Sequence, residues 1–133
     1  MTAALRAGLF YFMIVFASGF VLGALRVLAI APRLGDIGAV AVELPLMLTL
    51  SWFVCAWIVR RQAVPAEAAP RLVMGLAAFG LVLVAESAVS VLAFGRSFGE
   101  HLDAYRAAAA QLGLAAQAAF AAFPLLQAWL RRV

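Results

Sequence analysis

The sequence predicts an all-α polytopic membrane protein, a four-transmembrane-helix bundle with a short interfacial helix before the last span. Three observations carry that prediction. The 133-residue chain is 68% apolar and 12% charged, with a mean hydropathy of +1.09, whereas a soluble domain averages about 45–50% apolar and about 25% charged residues. Four apolar runs, near 7–29, 37–59, 72–94 and 107–129, each supply the roughly 20 helical residues that cross a hydrocarbon core about 30 Å thick. Each run is bounded by residues that stop a helix. The same arithmetic excludes a disordered tail, a disulfide scaffold and a soluble two-domain enzyme, so residues 1–133 form a single transmembrane domain.

The first run begins after Arg6 and reaches Leu25 before Arg26. Ala29-Ile30-Ala31 has the form of a signal-peptidase site, but the run from Ala7 is longer than an ordinary signal core and Arg26 interrupts the approach to that site. The first run is therefore expected to stay as a span. Pro32, Arg33, Gly35 and Asp36 predict a tight first turn. The second run ends at Arg60 and Arg61, and Pro65, Glu67, Pro70 and Arg71 make a polar second loop. Gly95, Arg96, Ser97 and Gly99 open the third loop, in which Ser97 and Glu100 match a capping box. Phe98, Leu102 and Tyr105 then recur at helical spacing, predicting a short helix on the outer interface or a solvated extension of the last span. Arg131 and Arg132 close the fourth run.

Orientation follows from the arginines, because loops that stay cytoplasmic retain positive charge. Arg6, Arg60, Arg61, Arg71, Arg131 and Arg132 lie on one side, against Arg26, Arg33, Arg96 and Arg106 on the other. Both termini are expected in the cytoplasm. The ten cationic residues give a net charge of +4, yet they occur in ones and twos at the ends of apolar runs, which points to membrane anchors and away from nucleic acid. The single cysteine, Cys55, excludes an internal disulfide. With His101 as the only histidine, no His-rich metal cage can form within one chain. No nucleophile–base pair, metal-ligand set or phosphate loop is present in the sequence, so no catalytic residue, metal or cofactor is assigned.

Ionisable and polar residues inside the runs need an explanation, since a charge near the bilayer centre costs at least about 2.5–3.5 kcal/mol. Arg26, Glu43, Glu86 and Gln111 fall in one slab near the outer helix ends, and Ser90 lies one turn from Glu86. They are predicted to face inward as a buried polar network in which Arg26 pairs with Glu43 and leaves Glu86 as a candidate proton carrier or hydrogen-bond donor. Such a network can equally act as glue between helices. Pro45 and Pro124 free the carbonyls of Ala41 and Phe120 and are expected to bend their helices. Gly19 and Gly23 form a small-xxx-small surface expected to make the helix contact of the first span. A weak two-by-two echo joins Pro45-Leu46-Met47 with Pro124-Leu125-Leu126, and Gly8-Leu9 with Gly75-Leu76. It would fit duplicated hairpins related by an axis along the membrane normal.

On Gly19-x-x-x-Gly23-x-x-Arg26, Pro32-x-x-Gly35, Glu43-x-Pro45-x-Met47, Arg60-Arg61, Glu86, and the stretch from Gly95-Arg96-Ser97 through Tyr105 to Phe123-Pro124-Leu125, the chain resembles a group of small four-span proteins of unknown function from proteobacterial inner membranes. The resemblance spans nearly the whole chain and implies an inner-membrane location without an activity. The leading expectation is a protein that acts through helix contacts, as a homo-oligomer or an accessory subunit of a larger membrane complex. A small proton-coupled transporter using its buried carboxylates is the alternative. A third reading is a lipid or apolar-cofactor binder with Trp52, Trp57 and phenylalanines lining a cleft.

Overall fold

The computed structural model describes residues 2–131, apart from the side chains of Asp36, Ala109 and Arg131; Arg132 lies outside the described residues. Among them there is no strand. The elements are α1 (Thr2–Leu25), a π-helical turn π1 (Arg26–Ile30), α2 (Ala31–Arg61), α3 (Ala68–Ala88), a second π turn π2 (Val89–Ala93), α4 (Phe98–Ala104) and α5 (Ala108–Arg131). Four stretches are long and apolar enough to cross a membrane, as a multi-pass membrane protein requires: Thr2–Gly35, Ile37–Arg61, Ala68–Ala93 and Ala110–Leu130. One end of the bundle carries residue 2, the 62–67 loop and the end of α5, and is termed proximal. The distal end carries the turn at Gly35 and α4.

The first turn differs from expectation. Pro32 does not end the first helix; the chain stays helical to Leu34 and breaks at Gly35, whose φ of 75° and ψ of 171° suit glycine alone. The reason lies one turn earlier. A proline ring collides with the carbonyl four residues before it in an α-helix, and the wider π1 turn, closed by the Ala31 amide on the Arg26 carbonyl, relieves that collision. Pro45 and Pro124 both lie inside continuous helices, and in α2 only Gly35 leaves helical φ/ψ.

At the proximal end α2 closes on a Schellman motif, with the amides of Ala63 and Val64 donating to the carbonyls of Arg60 and Val59. Ala63 takes the left-handed position (φ 51°) usually given to glycine. Arg6 Nε donates to Gln62 Oε1 at 2.5 Å and ties the start of α1 to this loop. Around the bundle, α1 packs on α2 and α3, and α5 packs on α2 and α3. Parallel helices α1 and α3 are thus neighbours, and α1 faces α5 across the middle. A two-fold axis along the membrane normal would instead put α1 and α3 on a diagonal, so the hairpin duplication expected from the sequence echo does not describe the packing.

The buried core is confined to the proximal half: Ala4, Ala7, Tyr11 and Val15 of α1, Cys55, Ile58 and Val59 of α2, Met74, Ala78 and Val82 of α3, and Phe120 of α5. No described residue from 16 to 38, from 41 to 50 or from 107 to 119 is buried. Glycine explains the segregation, because helices without a hydrophobic driving force between them associate by close backbone approach. A Cβ on Gly75 would fall 1.9 Å from the Ala121 carbonyl oxygen, and one on Gly8 2.8 Å from that of Met74. Gly19 meets only the Met47 Cε at 3.3 Å and Gly23 only the Arg26 Nη2 at 3.9 Å. The tight contacts therefore belong to Gly8 and Gly75, and not to the Gly19/Gly23 pair.

Candidate functional site

The polar residues of the distal half fall into two separate groups, one in each hairpin. Arg26 opens π1, and Glu43 lies on α2 just past the Gly35 break, each about 12–13 Å from that break along its helix at about 1.5 Å per residue. Arg26 Nε approaches Glu43 Oε2 to 2.6 Å, with side chains 30% and 15% exposed. The Nε–H is not directed along that line and has no hydrogen-bond acceptor, so the contact is an ion pair held by charge without a well-aligned hydrogen bond.

Glu86 is satisfied by neutral donors on the other hairpin. Gln117 Nε2 of α5 donates to Glu86 Oε1, and the Tyr105 hydroxyl donates to Glu86 Oε2 at 3.3 Å. His101, buried on α4, interacts electrostatically with Glu86 and sets its ring edge-on to Tyr105, with centroids 5.2 Å apart at 78°. Burial first, and the adjacent Glu86 carboxyl second, raise the Tyr105 phenol above the usual tyrosine value. Ser90, in π2, is buried with its hydroxyl unpartnered. Gln111 is exposed and donates only to the Arg106 carbonyl, at 3.4 Å. Gln117, six residues further along the same helix, occupies the place assigned to Gln111. The five-residue network is therefore two groups: no hydrogen bond or ion pair joins Arg26–Glu43 to Glu86.

The α4 helix starts as its sequence indicates, with the Ser97 hydroxyl accepting from the Glu100 amide at 3.1 Å. Its facing is reversed. His101 turns inward, while Phe98 (59% exposed) and Leu102 (52%) turn outward, because Glu86 and Tyr105 offer His101 partners that no apolar side chain could use.

Two further polar contacts, both proximal, were not legible as such. Arg71, counted above as a membrane-flanking charge, is 1% exposed. Its guanidinium donates to the carbonyls of Pro65 at 3.0 Å, Pro124 at 3.1 Å and Val64 at 3.4 Å, so it ties the 62–67 loop to α5. The Tyr11 hydroxyl donates to the Phe120 carbonyl at 2.8 Å, the acceptor that Pro124 strips of its helical donor. Their rings stack with centroids 4.1 Å apart. The one sequence signal for Arg71 is its position a turn inside α3, directly after Pro70, where it can reach back over the loop.

No protein-family model, curated protein or solved structure matches this chain. Its chemistry must be argued from its own side chains. Among the described residues no group of three or more His, Cys, Asp or Glu side chains could hold a metal ion. What the distal half offers is one ion pair and one carboxylate held by neutral donors, both in helix segments without buried neighbours.

Proposed function

We propose that this is a multi-pass protein of the bacterial inner membrane, with both termini cytoplasmic, that works by docking the distal half of its first hairpin onto other transmembrane helices, as a homo-oligomer or an accessory subunit. The observation that carries the reading is the first span. Thr2–Gly35 is 34 residues long, and only 6% of its most apolar window is buried. At about 1.5 Å per residue it measures roughly 50 Å, well beyond a hydrocarbon core of about 30 Å. Excess apolar length of this kind is accommodated by tilt or by association with other helices. The half-exposed Arg26–Glu43 pair on that segment favours association, since lipid is a poor neighbour for it. The arginine distribution supports the orientation.

Photo-crosslinking in native membranes tests this. A photoreactive residue at Leu28, 79% exposed, should give one reproducible protein adduct, either at twice 14.1 kDa for an oligomer or at a single larger mass for a subunit. The same group at Phe53, 66% exposed on the proximal half of α2, should give lipid adducts. Lipid adducts alone at Leu28 would overturn the proposal.

A further inference from the structure

The proximal half holds a groove that the helix-docking reading does not use. It lies between α2 and α5, has a volume of about 220 Å³ and is lined by Trp52, Ala56, Gln127 and Leu130. Gln127 is 5% exposed. Its Nε2 donates to the Trp52 carbonyl at 2.9 Å, which fixes the amide orientation, because a flip would set two carbonyl oxygens against each other. Its Oε1 is left buried with no donor, at a cost of about 1–3 kcal/mol for a buried acceptor. The groove wall is preformed, since Trp52 is braced edge-on by Phe123, with centroids 5.2 Å apart at 82°.

The chemistry of the rim narrows the occupant. Arg60 stands one turn beyond Ala56, with its Nε donating to the Ala56 carbonyl at 3.3 Å and its guanidinium exposed at the mouth. From that cation the groove runs inward past an unmet acceptor to an indole and small apolar side chains. We propose that it binds a phospholipid whose head group carries an N–H or O–H donor, as ethanolamine and glycerol head groups do. Arg60 takes the phosphate, Gln127 Oε1 accepts from the head group, and an acyl segment lies against Trp52, Ala56 and Leu130. The volume, below the roughly 300–1,000 Å³ of an enclosing ligand pocket, suits one segment of such a lipid with the rest in the bilayer. A choline head group carries no N–H or O–H and leaves Gln127 unmet.

The test uses the full chain with Trp57→Phe and Trp129→Phe, so that Trp52 alone reports, in vesicles of phosphatidylcholine containing an acyl-brominated quencher lipid. Brominated phosphatidylethanolamine should quench Trp52 about 2- to 10-fold more effectively than brominated phosphatidylcholine, the ratio expected for one net hydrogen bond. Gln127→Leu should abolish the preference. If that variant does not fold, Arg60→Gln on the exposed rim keeps the question decidable: it should remove the preference for brominated phosphatidylethanolamine over brominated diacylglycerol, which lacks the phosphate. Equal quenching by the two phospholipids in the parent protein, or a preference unchanged in whichever variant folds, would overturn the assignment.

Discussion

Arg71 shows how one side chain can hold a connection that no helix packing holds. Its planar fork meets carbonyls on three sides, a geometry that a lysine ammonium on a flexible stem cannot reproduce. Arg71→Met strands buried carbonyls of Val64 and Pro124, each at about 1–3 kcal/mol. We expect a total loss of about 2–5 kcal/mol, read from unfolding in detergent followed by circular dichroism, with Arg71→Lys recovering only part of it. This residue also marks where sequence reading stops. An arginine beside two prolines and a run of small residues has the composition of a membrane-flanking anchor, and only the path of the 62–67 loop turns it inward. Gln111 and Gln117 pose the same difficulty, because spacing along α5 ranks them alike and the height of Glu86 on α3 decides between them.

At the scale of elements, the spans were legible because length and apolarity are local properties, whereas the π turns and close contacts were not. Nothing in Arg26–Ile30 marks a π turn except Pro32 beyond it, and nothing distinguishes Gly75 from Gly80 before the neighbour of each is known. That difference is testable. Gly75→Ala drives a methyl into the Ala121 backbone and should destabilise the α3–α5 pair by about 1–3 kcal/mol or more. Gly80→Ala, with open space around its Cβ, should be neutral or stabilising by up to about 1 kcal/mol through helix propensity. Both are read from the same unfolding transition, and equal effects would contradict the packing described. The α4 helix illustrates the same limit: its start was readable from Ser97 and Glu100, its inward face was not, because the partner that draws His101 in lies on α3.

Across the whole molecule, buried contacts gather at one end and ionisable groups at the other. Local opening follows contact density, so hydrogen exchange in detergent micelles should protect the amides of 4–15, 51–59 and 70–82 by at least about tenfold more than those of 20–34. Uniform protection along α1 would show that the distal half is as firmly held as the proximal one. The all-α, four-span architecture was predictable from composition, but this asymmetry was not, since it depends on which glycine meets which backbone.

The bond from Arg71 to the Pro124 carbonyl also bears on how the protein is made. Chains are threaded into a bilayer from their amino end, so Arg71 arrives before the segment that supplies its acceptor. A copy cut short ahead of the fourth crossing would carry a guanidinium robbed of one anchor beside an untethered linker. Completion of synthesis is thus the moment at which the cytoplasmic seam closes, and interrupted products are left marked for the cell's membrane proteases.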